Sequence, residues 1–141
     1  MNTIDRISRP ELYCRMAQLM ARRSTCGRKQ VGAIITVEGR IVSSGYGGVP
    51  SGMPHCGPHC DLSKPCELTI HAEQNAIVWA ARKGISIEGG TLCCTLSPCL
   101  SCAKLIINSG ITGVYYIEQY RDTSPISLLR SQNIAIVQYH L

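Results

Sequence analysis

Two short motifs constrain the fold of this chain more than any other feature. The first is His71-Ala72-Glu73, and the second is Pro98-Cys99-Leu100-Ser101-Cys102. One neutral imidazole and two thiolates are ligands that suit Zn²⁺, and three protein ligands leave the fourth tetrahedral position open. An open position is typical of a catalytic zinc site. We therefore predict that His71, Cys99 and Cys102 meet at one catalytic zinc ion in the folded chain.

Glu73 lies two residues after the predicted histidine ligand and provides a proton carrier. Two thiolates neutralise the charge of the ion, so they acidify a bound water less than three histidines would. A neighbouring carboxylate can take the proton from this water and later return it to the substrate. A structural zinc knuckle is the alternative, but such sites are usually closed by four Cys or His ligands. The pattern favours a catalytic site.

The local sequence predicts that both motifs lie at helix N-termini. Ser97 is predicted to cap a helix whose first residue is Pro98, and Thr69 to cap a helix that ends near Lys83. The positive end of a helix dipole favours a thiolate, which helps to keep Cys99 ionised. We therefore expect two helix N-termini to converge on one ion.

A segment rich in cysteine, residues 53–68, precedes the first motif and is a candidate for a second metal site. The segment has few apolar residues, so a structural zinc would supply stability that packing does not. The first-choice ligands, with His59 as a substitute, are Cys26, Cys56, Cys60 and Cys66. Ordinary reduced thiols, or a disulfide formed during purification, are the alternative. Cys93 and Cys94 are predicted to be small buried strand residues.

Hydrophobic periodicity predicts that helices and strands alternate along the chain. After a loose arm, the predicted elements are a helix at 10–22, a hairpin at 30–37 and 40–44, a glycine-rich loop at 45–52, a helix at 72–83, a strand at 91–95, a helix at 99–108, a strand at 113–117, a short helix at 126–131 and a strand at 133–139. The second half is typical of parallel strands sandwiched by helices, with the antiparallel hairpin at one side. The predicted fold class is α/β, in a single domain of residues 1–141.

Composition limits the classes of function. Residues 1–20 contain charged side chains where a signal peptide needs an apolar core, and nine cysteines then indicate a reduced, cytoplasmic protein. No apolar run reaches membrane-spanning length. The net charge of +5 is scattered in pairs, which disfavours nucleic acid as a partner. Only 16% of the residues are charged and 45% are hydrophobic, which suggests burial of surface in a homo-oligomer.

Over almost its whole length the sequence resembles the deoxycytidylate deaminases of the zinc-dependent cytidine deaminase superfamily. The H-x-E and P-C-x-x-C motifs are the superfamily signature, and His-Ala-Glu-Gln-Asn-Ala at 71–76 is more specific. Further similarity lies at 24–26, 31–33, 45–46, 102–104, 109–111 and 114–116. The resemblance implies a three-layer α/β/α fold with a mixed five-stranded sheet. It also implies a hydrolase that converts dCMP to dUMP and ammonia in the nucleotide metabolism feeding thymidylate synthesis, commonly as a homohexamer.

The resemblance implies roles for individual residues. Hydroxide would attack C4 of cytosine, while Glu73 would protonate N3 and then the departing amine. The backbone of Ala72 would lie beside the base, and Tyr120 would line the pocket. Our candidates for binding the phosphate, each of which could equally be an ordinary surface residue, are Arg28, Lys29 and Arg121.

Many members of the family are activated by dCTP and inhibited by dTTP at a second site near the glycine-rich loop. By resemblance, the effector candidates in this chain are Tyr46, Gly47, Gly48, Asn75 and Arg82. The usual pattern is Gly-Tyr-Asn-Gly, whereas Gly47 stands here in place of the asparagine. The asparagine amide is therefore missing from the part of the site that would select between dCTP and dTTP.

Two groups of alternatives share the same motifs. Deaminases that act on dCTP, on another cytosine nucleotide, on free nucleosides or on tRNA adenosine also carry them. From a different class, a catalytically silent zinc-binding module would keep the ligands and have no use for Glu73. A substrate panel separates the first group, and substitution of Glu73 separates the second.

Overall fold

The computed structural model describes residues 4–56, 60–64 and 66–141. In these ranges the elements are α1 (Arg9–Ala21), β1 (Gly32–Val37), β2 (Arg40–Tyr46), α2 (Ala72–Lys83), β3 (Thr91–Leu96), α3 (Leu100–Ser109), β4 (Gly113–Glu118), α4 (Ser124–Ser131) and β5 (Ala135–Gln138). The predicted alternation is confirmed, with element ends shifted by at most two residues. None of the helices described is long and apolar enough to cross a bilayer.

The five strands of the described chain form one mixed sheet in the order β2-β1-β3-β4-β5. β1 is antiparallel to both β2 and β3, whereas β3, β4 and β5 are parallel. Parallel neighbours require crossover connections, which α3 and α4 provide. The predicted α/β fold, with a hairpin beside a parallel half, is therefore confirmed.

Apolar cores cover both faces of the sheet and give the fold its three layers. On one face α1 packs against the strands through Tyr13, Cys14, Ala17, Ile34 and Cys93. The other face is covered by α2, α3 and α4, whose buried side chains are Ala72, Ala76, Ala80, Ala103, Ile106, Ile126 and Leu129. Successive strand side chains point to opposite faces, so Cys93 packs under α1 and Cys94 in the other core. Both are buried strand residues, as predicted.

Close packing against β2 fixes the start of α2. A Cβ built at Gly45 would overlap the carbonyl of Ala72 and would lie 2.7 Å from the Ala76 nitrogen. The Ser43 hydroxyl donates a hydrogen bond to the Ala76 carbonyl at 2.6 Å. At its other end α2 stops at Gly84, which has a φ of 65° in the left-handed region. These contacts hold the first turn of α2, where the first sequence motif lies.

Candidate active site

The two sequence motifs meet where α2 and α3 begin. The ligand atoms of His71, Cys99 and Cys102 all lie within 4.8 Å of one another. His71 Nδ1 is 3.3 Å from Cys99 Sγ and 3.2 Å from Cys102 Sγ. Tetrahedral zinc with ordinary bond lengths separates its nitrogen and sulfur ligands by roughly 3.5 Å, so these residues fit the ion. Within the described ranges, no other three His, Cys or carboxylate side chains form such a group.

The first motif opens α2, but the helix cap differs from the sequence prediction. His71 is the N-cap residue, with an extended backbone (φ −73°, ψ 155°). Gln74 Oε1 accepts a hydrogen bond from the His71 N–H at 2.9 Å. The Thr69 hydroxyl lies 2.9 Å from Cys66 Sγ instead. The prediction of Thr69 as the cap is therefore wrong, because the glutamine side chain reaches back to the histidine and fixes the helix start there.

The second motif opens α3, and its predicted cap is also wrong. Cys99 is the N-cap residue and the helix begins at Leu100, so Pro98 lies outside the helix. The Ser97 hydroxyl accepts a hydrogen bond from the Tyr120 N–H at 2.7 Å. This contact draws the serine side chain toward the end of β4 and away from the helix start. The second motif nevertheless lies at the positive end of the helix dipole, as the sequence predicts.

Glu73 lies in the first turn of α2, and only 4% of its surface is exposed. Its Oε2 accepts a hydrogen bond from Cys102 Sγ at 3.1 Å. Burial raises the pKa of the Glu73 carboxyl above its ordinary value, although the bond from Cys102 acts in the opposite direction. A carboxyl group whose charged form is disfavoured in this way can hold a proton and pass it to a neighbouring acceptor.

The contact between the two cysteines of the group shifts their pKa values in opposite directions. It lowers the pKa of the Cys99 thiol to about 3. The same contact, together with burial, raises the pKa of Cys102. The hydrogen bond with Cys99 raises the pKa of His71. A thiolate beside an imidazole and a second thiol is a ready set of ligands for a borderline-soft cation.

A cavity of about 390 Å³ adjoins these residues. Besides His71, Glu73 and Cys99, the predicted site residues that line it are Cys26, Arg28, Lys29, Gly47, Cys66, Ala72 and Tyr120. Pockets for small ligands commonly measure about 300–1,000 Å³. The cavity therefore brings the ligand group, a buried carboxyl group, an aromatic ring and two cations into one space of suitable size.

The three cations predicted to bind phosphate occupy different environments. Lys29 lines the cavity and its Nζ pairs with Glu118 Oε2 at 3.0 Å. Arg28 also lines the cavity, but its guanidinium donates to the carbonyls of residues 61 and 64. Arg121 is exposed and does not line the cavity described above. Lys29 is therefore the cation best placed to meet a ligand in this cavity.

Among the described residues, the thiols predicted to hold a second zinc are not gathered into one ligand group. These thiols are Cys26, Cys56, Cys60 and Cys66. Cys26 and Cys66 line the cavity, whereas Cys60 Sγ accepts a hydrogen bond from Arg28 Nε at 3.2 Å. In the part of the chain that the structure describes, they do not form a group of three within ligand distance. The substitute ligand His59 lies outside the described residues, so the second zinc stays a prediction.

A second cavity, of about 360 Å³, lies beside the glycine-rich loop. Tyr46, Gly48 and Asn75 line it, whereas Gly47 lines the first cavity. Asn75 Nδ2 donates to the Tyr46 carbonyl at 2.7 Å, so this residue binds the loop and not the metal ligands. Arg82 is exposed and is absent from the described lining of the second cavity. Of the five effector candidates, Tyr46, Gly48 and Asn75 thus line the second cavity, whereas Gly47 and Arg82 do not belong to its described lining.

Ser97, His55 and Trp79 are among the lining residues that were not singled out as site residues from the sequence. Ser97 lines the first cavity, and His55 and Trp79 line the second. Trp79 lies on α2, and 46% of its surface is exposed. Its position four residues after Asn75 was the available signal, because residues four apart lie on the same helix face.

Comparison with known proteins identifies relatives of similar length and fold. Residues 7–118 match the family model described as the cytidine and deoxycytidylate deaminase zinc-binding region. ComE operon protein 2 of Bacillus subtilis (strain 168) is 37% identical over 98% of this chain and 75% of its own. The deoxycytidylate deaminase of Enterobacteria phage T4 is 35% identical over 86% of this chain and 84% of its own. The crystal structure of a dCMP deaminase from cyanophage S-TIM5, in complex with dCMP and dUMP, is 37% identical with a TM-score of 0.85, covering 92% of this chain and 95% of that one.

Proposed function

The chain belongs to the cytidine and deoxycytidylate deaminase family, and on this basis we propose that it hydrolyses dCMP to dUMP and ammonia. The observation that carries the proposal is the meeting of the His71, Cys99 and Cys102 ligand atoms beside buried Glu73 in one cavity. The phage T4 relative is named as a deoxycytidylate deaminase, and the similar cyanophage structure holds dCMP and dUMP. Both support the choice of substrate.

Glu73 is the proposed proton carrier of the reaction. A zinc ion held by His71, Cys99 and Cys102 would supply the Lewis acidity that activates water for attack on the pyrimidine. The Glu73 carboxylate takes a proton from the attacking water and delivers it to N3 of the ring as the hydroxide adds to C4. It then takes the proton of the new C4 hydroxyl group and delivers it to the amine, which leaves as ammonia when the C4–N bond breaks and the C4=O bond forms. Burial supports both steps, because a carboxyl group with a raised pKa accepts a proton readily and remains able to donate it.

Ala72 and Tyr120 are proposed to hold the pyrimidine. Both line the cavity that contains Glu73. As the first residue of α2, Ala72 has an N–H without a partner inside the helix, and this donor suits a ring oxygen. The Tyr120 side chain, with 38% of the residue exposed, offers an aromatic surface for stacking. The base is thus held between a backbone donor and a ring.

Lys29 is the proposed partner of the substrate phosphate. Lys29 lines the cavity, and its ammonium group is paired with the exposed carboxylate of Glu118 at 3.0 Å. A phosphate carries more charge than this carboxylate and forms charge-assisted hydrogen bonds with lysine. Arg28 adds positive charge to the cavity wall, although its guanidinium already donates hydrogen bonds to Cys60 Sγ and to the Asp61 carbonyl in the segment rich in cysteine.

A substrate panel tests the proposed function. We expect kcat/KM for dCMP to exceed that for deoxycytidine by roughly tenfold or more, because a charge-assisted hydrogen bond contributes about 1.5–3 kcal/mol. The measurement is the loss of absorbance as cytosine becomes uracil, with dC, dCMP and dCTP as substrates. An RNA stem-loop containing adenosine is assayed in parallel for inosine.

Two variants control the phosphate part of this experiment. Lys29→Ala should reduce the preference for dCMP over deoxycytidine, whereas Lys104→Ala, which changes an exposed lysine outside the described cavity lining, should not. Greatest turnover on the RNA would overturn the proposed substrate. Equal preference in wild type and Lys29→Ala would assign the phosphate to another residue.

Regulation by deoxynucleoside triphosphates is proposed for the second cavity. α2 contributes to both cavities, with Glu73 in the first and Asn75 in the second. The bond from Asn75 to the Tyr46 carbonyl joins this helix to the glycine-rich loop. A ligand in the second cavity can therefore change the shape of the first cavity through α2 and the glycine-rich loop, which contribute to both. Repeating the panel with dCTP and dTTP tests this proposal, and rates that respond to neither nucleotide would refute it.

The proposed assembly is a homohexamer. Several large apolar side chains of the helices are exposed in the described chain: Leu12, Leu19, Val78, Leu100 and Leu105. Exposed apolar surface of this kind favours contact between copies of a chain. Sedimentation equilibrium measures the subunit number, and a monomer at micromolar concentration would contradict the assembly.

A second, structural zinc is proposed for the segment rich in cysteine, residues 53–68, together with Cys26. The hydrogen bond to Cys60 raises the pKa of the Arg28 guanidinium, and the nearby thiols of Cys66 and Cys26 add to this effect. Arg28, which lines the first cavity together with Cys26 and Cys66, thus also contacts Cys60. Elemental analysis should find two zinc ions per chain in the wild type and one in Cys56→Ser or Cys60→Ser. Cys93→Ala, which removes a buried thiol elsewhere, should retain two, and one ion in every protein would rule out the second site.

A further inference from the structure

The Ser97 hydroxyl lies where the parallel ladder between β3 and β4 ends. The strands are paired as far as Leu96 and Glu118, and the Ser97 N–H donates to the Glu118 carbonyl at 2.9 Å. In a regular parallel ladder the Tyr120 N–H would next donate to the Ser97 carbonyl. The Tyr120 N–H donates instead to Ser97 Oγ at 2.7 Å. A side-chain oxygen therefore takes the place of the backbone acceptor at the last rung of the sheet.

This exchange of acceptors occurs at the wall of the first cavity. Ser97 is 3% exposed and lies two residues before Cys99. Ser97 and Tyr120 both line the cavity. Residues 119–123 connect β4 to α4 outside regular strand or helix, so the Ser97 bond is placed to fix the backbone that carries the Tyr120 ring. The buried Ser97 hydroxyl thus links the segment that contains Cys99 to the segment that contains Tyr120.

We propose that Ser97 is a positioning residue of the deaminase site, whose hydroxyl holds the Tyr120 backbone so that the ring meets the pyrimidine. The inference rests on the proposed function. Without the hydroxyl, the Tyr120 N–H either loses its acceptor or moves toward the Ser97 carbonyl, and both outcomes displace the ring. Glu73 lies on α2 and has no bond to this serine. Loss of the tether should therefore weaken nucleotide binding and leave proton transfer intact.

Kinetics of Ser97→Ala and Ser97→Thr test the role of the hydroxyl. In Ser97→Ala we expect KM for dCMP to rise roughly tenfold, because a partly buried donor loses its partner and the Tyr120 ring is displaced. We expect kcat to change by less than about twofold, since the interaction concerns binding of the ground state. Ser97→Thr keeps the hydroxyl and should restore the wild-type KM. Zinc content should be equal in all three proteins, and a fall in kcat at unchanged KM would overturn the proposal.

A double-mutant cycle asks whether the serine acts through Tyr120. In a Tyr120→Leu background the ring is absent, so Ser97→Ala should raise KM further by less than about twofold. A serine that only stabilises the sheet would give the same tenfold change in both backgrounds, which would contradict the proposed role.

Amide hydrogen exchange measures the tether without turnover. The Tyr120 amide should lose protection by roughly tenfold or more in Ser97→Ala and keep it in Ser97→Thr. Equal protection in all variants would overturn the proposal, and so would a loss of protection that leaves KM unchanged. A wild-type protein that deaminates no cytosine compound would refute the proposed function, whereas the exchange rates would still decide whether the tether exists.

Discussion

Glu73→Gln is expected to lower kcat/KM for dCMP by roughly 10³-fold or more while zinc content stays at the wild-type value. Glutamine has nearly the shape of glutamate but cannot carry the proton from water to the pyrimidine. The fold should tolerate the change, because burial raises the pKa of this carboxyl and so disfavours its charged form in the folded chain. The measurements are the absorbance assay, elemental analysis and thermal unfolding of the same preparation.

The matched control for this experiment is Glu67→Gln. Glu67 is exposed and does not line the first cavity in the described ranges, so it undergoes the same chemical change outside the site. Its kcat/KM should equal that of the wild type. A zinc-binding module without catalysis predicts that both variants behave alike, and full turnover in Glu73→Gln would remove the proton carrier from the mechanism.

Cys102→Ala is expected to abolish detectable turnover and to remove the catalytic zinc. Cys102 is buried at the start of α3, and its sulfur contacts both His71 and Glu73. An ion that binds only the folded chain stabilises it by about 4 kcal/mol when its free concentration is about 1,000 times the dissociation constant. The wild type should therefore melt at a lower temperature after chelation, whereas the variant should respond less because one site is already lost.

Cys93→Ala is the matched control, because it removes a buried sulfur from β3 on the opposite face of the sheet. This variant should keep its zinc, its turnover and the full response to chelation, even if the smaller side chain lowers its melting temperature. Retention of the catalytic zinc and full activity in Cys102→Ala would exclude this cysteine as a ligand.

The sequence was sufficient to predict the order of elements and the convergence of His71, Cys99 and Cys102. Period-two and helical patterns are local, and one histidine with two cysteines at this spacing has few chemical interpretations.

The Thr69 cap was mispredicted because the nearby Gln74 side chain fixes the helix start at His71. The Ser97 cap, in contrast, was mispredicted because of a distant contact. The Ser97 hydroxyl has a competing partner, the Tyr120 N–H, which is 23 positions away in the chain. Local sequence holds no information about such a partner until the sheet has formed.

Long-range contacts also involve two residues that the sequence singled out as site candidates, Arg28 and Asn75. Arg28 was a phosphate candidate because it is a cation near the predicted site, yet its guanidinium is bonded to carbonyls in the segment rich in cysteine. Asn75 follows His71 by one helical turn, but its amide binds the Tyr46 carbonyl. In both residues the polar group forms a long-range hydrogen bond that residue type and local position do not predict.

Gly47 and Gly48 are neighbours in sequence but line different cavities. A directed-evolution library that randomises this pair to change nucleobase preference will therefore alter both pockets in each clone. A screen that scores turnover alone would collect clones whose sensitivity to other nucleotides has drifted unnoticed. Selection in the presence and absence of triphosphates would keep the two properties apart.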